Sequence, residues 1–439
     1  MTNINEFLGG RIINTRVLTN EQISQLLDNG SQLISATKPH NSGNKCQRCL
    51  SVIEDFPFDD IAPYCRNCIN FGKIMQDDKL IITNLNLDFP HQSNPMSWQG
   101  NLTDLQQKIA LEVIQSYQNK CDHLVWSVTG AGKTEITFPL LERIISNNQR
   151  VAICSPRIDV CIELYPRIQA AFNNASVGLF HGKSDIQYYP TQIMISTVHQ
   201  LVKFHKAFDV IIVDEVDSYP LAGNEMLEGS IAKAKKVSGS IVYLSATPPA
   251  ELLDEVSNGK INISKLYRRF HNHPLPEPIC HCLLKPTTYF GINPRLRIKM
   301  SKLVNSQQRF IVFFPRIPDM LYFEKIIKKF FPKLKLVSVS SKDSKRIEKV
   351  QQFRDEQADV ILTTTILERG VTFHNITVLV LDADADEFSK TALIQIAGRA
   401  GRSQDSPNDE VHLYYQFYNK KIKSACSEIK QVNRQAYKK

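Results

Sequence analysis

From residue 123 onward, short apolar runs alternate with stretches of helical spacing. The first set of runs covers residues 123–128, 150–155, 192–197, 210–214 and 241–245. These runs are continuous rather than alternating, which predicts strands buried on both faces of a parallel sheet. The pattern pauses at Pro274, Pro276 and Pro278, then resumes at 310–314, 334–340, 360–364, 376–381 and 411–417. Two α/β halves joined by a proline-rich segment follow from this. Upstream, residues 21–33 have the spacing of a short amphipathic helix. Residues 81–97, with Pro90, Ser93, Asn94 and Pro95, have the composition of a linker. Thr103 is placed as the N-cap of a helix spaced by Leu105, Ile109 and Val113. The expected organisation is an N-terminal segment (1–40), a small module and linker (41–97) and two α/β domains (98–275 and 276–439).

Bulk properties narrow the class. The chain has 439 residues and 42% hydrophobic content, enough for ordinary cores in several domains. No segment approaches 18 consecutive apolar residues, and Met1 to Glu6 lack the charged and apolar regions of a signal peptide. A cytoplasmic protein is expected, so its ten cysteines are read as thiols or metal ligands rather than disulfides. The net charge of +9 favours a polyanionic partner such as nucleic acid.

The cysteines add a metal site. Cys46 and Cys49 form one C-x-x-C pair and Cys65 and Cys68 another, with fifteen residues between them. Each turn points two sulfurs at one centre, and two turns complete a tetrahedron of thiolates. Four protein ligands leave no open position, so one structural Zn²⁺ is expected; a redox pair or an iron–sulfur cluster is the alternative. Arg48 and Arg66, inside the turns, are candidates for nucleic-acid or partner contact, or for solvated surface. Cys280, His281 and Cys282 with His271 and His273 suggest a second, weaker metal grouping.

The chemistry starts at Ser127-Val128-Thr129-Gly130-Ala131-Gly132-Lys133-Thr134. A buried strand turning sharply into a helix leaves amide N–H groups facing into the turn, where they bind phosphate. Gly130 and Gly132 let the backbone close around the anion. Thr129, Ala131 and the glycines cradle the phosphates, Lys133 reaches the β- and γ-phosphates, and Thr134 offers its hydroxyl to Mg²⁺. ATP is therefore the expected ligand, and Gln106 is a candidate reader of the adenine edge. The apolar run at 210–213 ends in Asp214 and Glu215, followed by Asp217. Adjacent acids at a strand end suit a Mg²⁺ ligand (Asp214) and a base that activates water (Glu215). Gln395-Ile396-Ala397-Gly398-Arg399-Ala400-Gly401-Arg402 is read as a helix start with two arginines on one face. These are suited to clamp a γ-phosphate as an arginine finger does.

In this order the pieces resemble the superfamily 2 helicases and translocases over most of residues 102–402. Residues 102–106 resemble an adenine-reading Q motif and 127–134 motif I. Ser155-Pro156-Arg157 resembles motif Ia, residues 196–200 motif Ib, Asp214 to Asp217 motif II, and Ser245-Ala246-Thr247 motif III. Residues 313–316 lie near motif IV, 363–372 resemble motif V, and 395–402 motif VI. The likeness implies two tandem RecA-like domains with parallel sheets flanked by helices. ATP would sit in their cleft and single-stranded nucleic acid would lie across the top. An N-terminal four-cysteine zinc module, V-T-G-A-G-K-T-E and D-E-V-D make the chain similar to the ComFA family of competence DNA-uptake translocases. That resemblance implies single-stranded-DNA-dependent ATP hydrolysis during transformation, at the inner face of the cell membrane. It also implies a ComFC-like phosphoribosyltransferase-fold partner and a membrane DNA-uptake channel. By position, Arg157, His199, Thr364 and Arg369 would touch the strand and Gln395 would sense the nucleotide. Ser127 replaces the usual motif I glycine, and Thr372 stands where many such helicases have aspartate. A PriA-like helicase, an RNA helicase, and a zinc-bearing DNA-binding adaptor that uses ATP as a switch are the alternatives.

Overall fold

The computed structural model describes residues 9–41, 43–53, 63–83, 87, 89–182, 188–284, 292–402 and 409–437. The chain divides into two compact units, Met1–Trp126 with Lys133–Lys265, and Ser127–Gly132 with Leu266–Lys439.

The first unit begins with β1 (Ile12–Asn14), β2 (Gln32–Ser35), β3 (Thr37–His40), β4 (Gly43–Cys46), β5 (Val52–Ile53) and β6 (Lys79–Ile82). They form two antiparallel sheets, ordered β1-β6-β2 and β3-β4-β5. β6 pairs with both β1 and β2 and so closes the cysteine-bearing segment at its two ends. The helix expected over 21–33 runs over Asn20–Asp28 only, opened by a capping box between Thr19 and Gln22. Gly30 then takes φ +82°, a left-handed turn that ends the helix and sends Leu33 into β2. Likewise β6 reaches into the stretch read as linker.

The same unit continues with β7 (Asp122–Ser127), β8 (Val151–Ser155), β9 (Val177–Phe180), β10 (Ile193–Thr197), β11 (Phe208–Asp214), β12 (Lys235–Ser245) and β13 (Ile261–Leu266). Their order is β13-β7-β12-β11-β8-β10-β9, and all pairs from β7 to β9 are parallel. Every residue of β8 and β10 is buried, as continuous apolar runs require. β12 lies between β7 and β11, so these three strands deliver their carboxyl ends to one edge, where ligands bind in open α/β sheets.

The second unit holds β14 (Ile279–Cys282), β15 (Phe310–Phe313), β16 (Leu336–Val339), β17 (Val360–Thr363), β18 (Thr377–Val380) and β19 (Val411–Tyr415). The order is β14-β19-β18-β15-β17-β16, parallel throughout. Its core is built from Phe310, Val312, Phe314, Leu362, Leu379 and Tyr414, with Leu296, Met300 and Phe323 from covering helices. The chain is thus α/β with two parallel-sheet units and an N-terminal four-cysteine module. No helix among the described residues is long and apolar enough to cross a membrane.

Candidate nucleotide site and metal centre

β4 ends on Cys46. A tight turn with Leu50 at φ +66° brings Cys49 back beside it, and the Leu50 amide donates to the Cys46 carbonyl at 2.9 Å. Cys65 precedes the short 3₁₀ turn Arg66–Phe71, which carries Cys68. All four thiols are buried, and their sulfurs lie within 4.8 Å of one another. Cys49 and Cys65 are 3.3 Å apart, Cys46 and Cys68 3.8 Å. Zn–S bonds of about 2.3 Å in a tetrahedron place sulfurs about 3.8 Å apart, so the donor set fits zinc. Arg48 is neither a surface residue nor a free hand for a partner. It is 4% exposed and donates through Nη2 to the carbonyl of Cys68, at 3.2 Å, and to that of Gly72. Arg66 is exposed. The suggested second metal grouping does not form among the described residues. Cys280 faces Cys426 at 3.9 Å, and His281 Nε2 shares a hydrogen bond with His412 Nδ1 at 2.9 Å.

The loop after β7 has Gly130 at φ +81° and Gly132 at φ +75°, left-handed positions that favour glycine. Ala131 is buried, as is Ser127 in place of the usual glycine, its Oγ without a partner among the described residues. Lys133 and Thr134 open the helix Lys133–Ile136. That short helix ends before Thr137, and a second helix, Phe138–Ser146, starts with Pro139 in its first turn.

Asp214 closes β11 and is 8% exposed. Burial pushes its carboxyl up to about 6; the Lys133 ammonium pulls the other way and Glu215 adds to the rise. A buried carboxylate within electrostatic reach of Lys133, whose neighbour in the chain is Thr134 with its hydroxyl, is a donor set that suits a phosphate-bound Mg²⁺. The Glu215 amide donates to Asp214 Oδ1 at 2.9 Å, and Glu215 itself sits at φ +56°. Asp217, absent from the expected site, ties this strand end to the next. It accepts from Ser245 Oγ at 2.6 Å and Thr247 Oγ1 at 2.7 Å. Its signal was the fourth letter of D-E-V-D together with S-A-T. Gln106 is 4% exposed, and its Oε1 accepts from the Thr103 amide at 2.9 Å in a capping box. That oxygen serves the helix start of Asp104–Gln118.

In the second unit the helix Lys390–Ala397 is capped at its start by Ser389 and at its end by Gly398. Arg399 and Arg402 therefore follow a helix end, not a helix start: the helix closes at Ala397, and Gly401 turns the chain at φ +61°. Arg399 is 3% exposed and donates to the Glu368 carbonyl from Nε at 3.0 Å and Nη2 at 2.7 Å. Arg402 donates to the Gly398 carbonyl at 3.0 Å and to Thr372 Oγ1 at 3.1 Å. The threonine that replaces aspartate thus meets the second arginine with a hydroxyl. Gln395 is 1% exposed and accepts from Thr129 Oγ1 at 3.1 Å, while its Nε2 has no partner among the described residues. Arg269, which no motif singled out, donates to the carbonyls of Ala400 at 2.9 Å and Gly398 at 3.1 Å. Burial lowers its guanidinium to about 9, with nearby Arg402 adding to the effect.

The expected strand contacts fall in two places. β10 and β8 pair in register, with Thr197 opposite Ser155, so Arg157 and His199 each lie two residues past the ends of neighbouring strands. Both are partly buried; Arg157 Nη2 is 4.0 Å from Asp159, and His199 lies in the 3₁₀ turn Val198–Lys203. Thr364 and Arg369 follow β17 and are buried, at 8% and 3% exposure, with Arg369 Nε 3.7 Å from Glu368.

Comparison with known proteins adds the lineage. Residues 99–250 match the family described as type III restriction enzyme, res subunit, and residues 296–404 the helicase conserved C-terminal domain. The chain is 36% identical to competence protein ComFA of Streptococcus pneumoniae over 434 residues, covering 97% of this chain and 98% of that protein. With ComFA of Bacillus subtilis it shares 37% identity, covering 85% and 81% respectively. Among solved structures, Saccharomyces cerevisiae Dbp5 bound to RNA and ADP BeF3 shares the fold at 16% identity. Its TM-score is 0.55, over 76% of this chain and 88% of that one. Mycobacterium smegmatis helicase Lhr bound to ssDNA and AMP-PNP shares it with TM-score 0.57 at 16% identity, over 77% and 50%. With a buried four-cysteine centre ahead of two parallel-sheet units, the chain belongs to the ComFA family, ATP-hydrolysing motors of the superfamily 2 helicase type.

Proposed function

We propose that this motor is a single-stranded-DNA-dependent ATPase and translocase that draws a single strand inward during competence. The observation that carries the reading is the buried Asp214 at the carboxyl end of β11, within electrostatic reach of Lys133, on the same sheet edge at which β8 and β10 end just before Arg157 and His199. One edge can then hold the nucleotide and the strand, which lets hydrolysis act on DNA grip.

In this reading the amides of Thr129 to Thr134 and the Lys133 ammonium bind the phosphates. Thr134 and Asp214 would hold Mg²⁺, which screens phosphate charge. Glu215 takes the proton of the attacking water. Arg399 and Arg402 supply positive charge to the γ-phosphate; their bonds to the Glu368 and Gly398 carbonyls and to the Thr372 hydroxyl help to orient the two guanidinium groups. Asp217 links the acid box to Ser245 and Thr247, a route from nucleotide state to strand grip. The strand contacts at Arg157, His199, Thr364 and Arg369 are chiefly to phosphates and independent of sequence. Zn²⁺ at Cys46, Cys49, Cys65 and Cys68 is structural. The working partners are a ComFC-like protein and the membrane uptake channel.

The test is steady-state ATP hydrolysis without nucleic acid and with single-stranded DNA, duplex DNA or single-stranded RNA. Strong stimulation by single-stranded DNA alone is expected, with Lys133→Ala and Glu215→Gln abolishing turnover while DNA binding survives. Equal or greater stimulation by RNA would favour an RNA helicase. Nucleotide binding without hydrolysis would leave the adaptor reading.

A further inference from the structure

The cysteine module and the turn that follows β10 share one core: Val202 packs among the four cysteines, Ile12, Ile74 and Leu80. Two further contacts grip the same turn. Phe71 ends the 3₁₀ turn that carries Cys68, and its ring lies over the His199 imidazole, with centroids 6.3 Å apart and planes 26° apart. Lys233, from the helix Glu225–Ala234, donates to the Arg48 carbonyl inside the first cysteine turn and to the Val202 carbonyl at 3.1 Å. One ammonium therefore ties the metal-binding turn to the backbone three residues beyond His199. No side-chain cap fixes the start of the turn Val198–Lys203. A short 3₁₀ turn has weak hydrogen bonds of its own, so what packs on it sets its geometry.

We infer that the cysteine module braces the strand-contact turn, and that Phe71 is a positioning residue that sets the His199 ring against the single strand. The four thiols that would hold zinc then act at a distance, by fixing the turn from which Phe71 projects. The inference rests on the reading of His199 as a strand contact. An aromatic pair of this kind contributes enough to change strand affinity about three- to tenfold.

The experiment measures the single-stranded DNA concentration that half-stimulates ATP hydrolysis, the kcat at saturating DNA and the KM for ATP. It uses the full chain with Phe71→Leu, Phe71→Tyr, His199→Ala and the Phe71→Leu/His199→Ala pair. Zinc content and Tm are recorded for each. Phe71→Leu should raise the half-stimulating concentration about three- to tenfold, with kcat and KM for ATP near wild type. Phe71→Tyr should restore it, and the double variant should be no weaker than His199→Ala. If His199→Ala weakens DNA dependence and Phe71→Leu does not, the brace is wrong and the strand contact stands. If His199→Ala changes nothing, the strand-contact reading falls and takes the brace with it. A loss in Phe71→Leu that tracks lost zinc or lowered Tm, and that Tyr does not relieve, assigns Phe71 to folding of the module and overturns the inference.

Discussion

His123 gives the first unit a defined weakness toward acid. It sits in β7 at 2% exposure, where Nδ1 shares a hydrogen bond with Ser116 Oγ at 2.8 Å and Nε2 with Ser264 Oγ at 2.9 Å. Ser264 donates in turn to Glu112, and Asn262 Nδ2 donates to Ser116 Oγ at 2.9 Å. Burial lowers the imidazole from 6.5 to about 4, against the pull of Glu112. Between those values the unfolded chain holds the proton and the folded one does not, so stability rises with pH across the window. It is fully present above 6.5 and lost as pH falls toward 4. With about 1.4 kcal/mol per pKa unit, the linkage removes about 2 kcal/mol between pH 7.5 and pH 5. The assay is urea unfolding of wild type and His123→Gln at pH 7.5, 6 and 5. The variant should start less stable, because its network is broken, but its stability should depend less on pH, by about 2 kcal/mol over that range. Parallel pH profiles for the two proteins would refute the argument. The second unit carries its own buried imidazole, His412, lowered to about 4 by burial against its bond to Glu410, so its transition serves as an internal comparison.

Other consequences are separately measurable. Asp217→Asn keeps the shape but weakens two bonds to Ser245 and Thr247; DNA-stimulated kcat should fall about tenfold with ATP binding little changed. An unchanged kcat would remove Asp217 from the coupling route. Cys65→Ser should release the bound metal and lower Tm by several degrees, and chelation should do the same to wild type; equal Tm and no zinc by elemental analysis would reject the metal centre. Arg48→Met leaves the carbonyls of Cys68 and Gly72 short of a donor and should cost about 1–3 kcal/mol of unfolding free energy, read by urea titration.

The alternation of apolar runs showed both parallel sheets because fully buried strands such as β8, Val-Ala-Ile-Cys-Ser, have no polar face to hide them. β14, Ile-Cys-His-Cys, was unreadable for the opposite reason: an edge strand with little apolar content carries no periodic signal. Cysteine spacing announced that four sulfurs converge, and they do. Spacing says nothing of where the residue between two ligands points, and Arg48 points inward. The motif VI arginines were placed on a helix start, whereas the helix ends at Ala397 and Gly401 turns the chain at φ +61°, an end that apolar spacing does not mark. Arg269 had no signal at all, since its partners are backbone carbonyls, which every residue possesses. The phosphate-loop glycines and Asp214 were legible because their chemistry admits few residue types. The backbone state of Glu215 was not, since nothing in D-E-V-D marks a left-handed residue.

That left-handed state bears on how the protein can be improved. A non-glycine residue with φ near +56° sits about 1–2 kcal/mol above its relaxed backbone. Glycine or asparagine at position 215 would tolerate the conformation better than glutamate. A screen rewarding heat resistance alone would therefore drift toward losing the very carboxylate assigned to water activation. Thermostable variants of this motor should be selected under a demand for turnover, or position 215 held fixed, because there the fold and the work it does pull on the sequence in opposite directions.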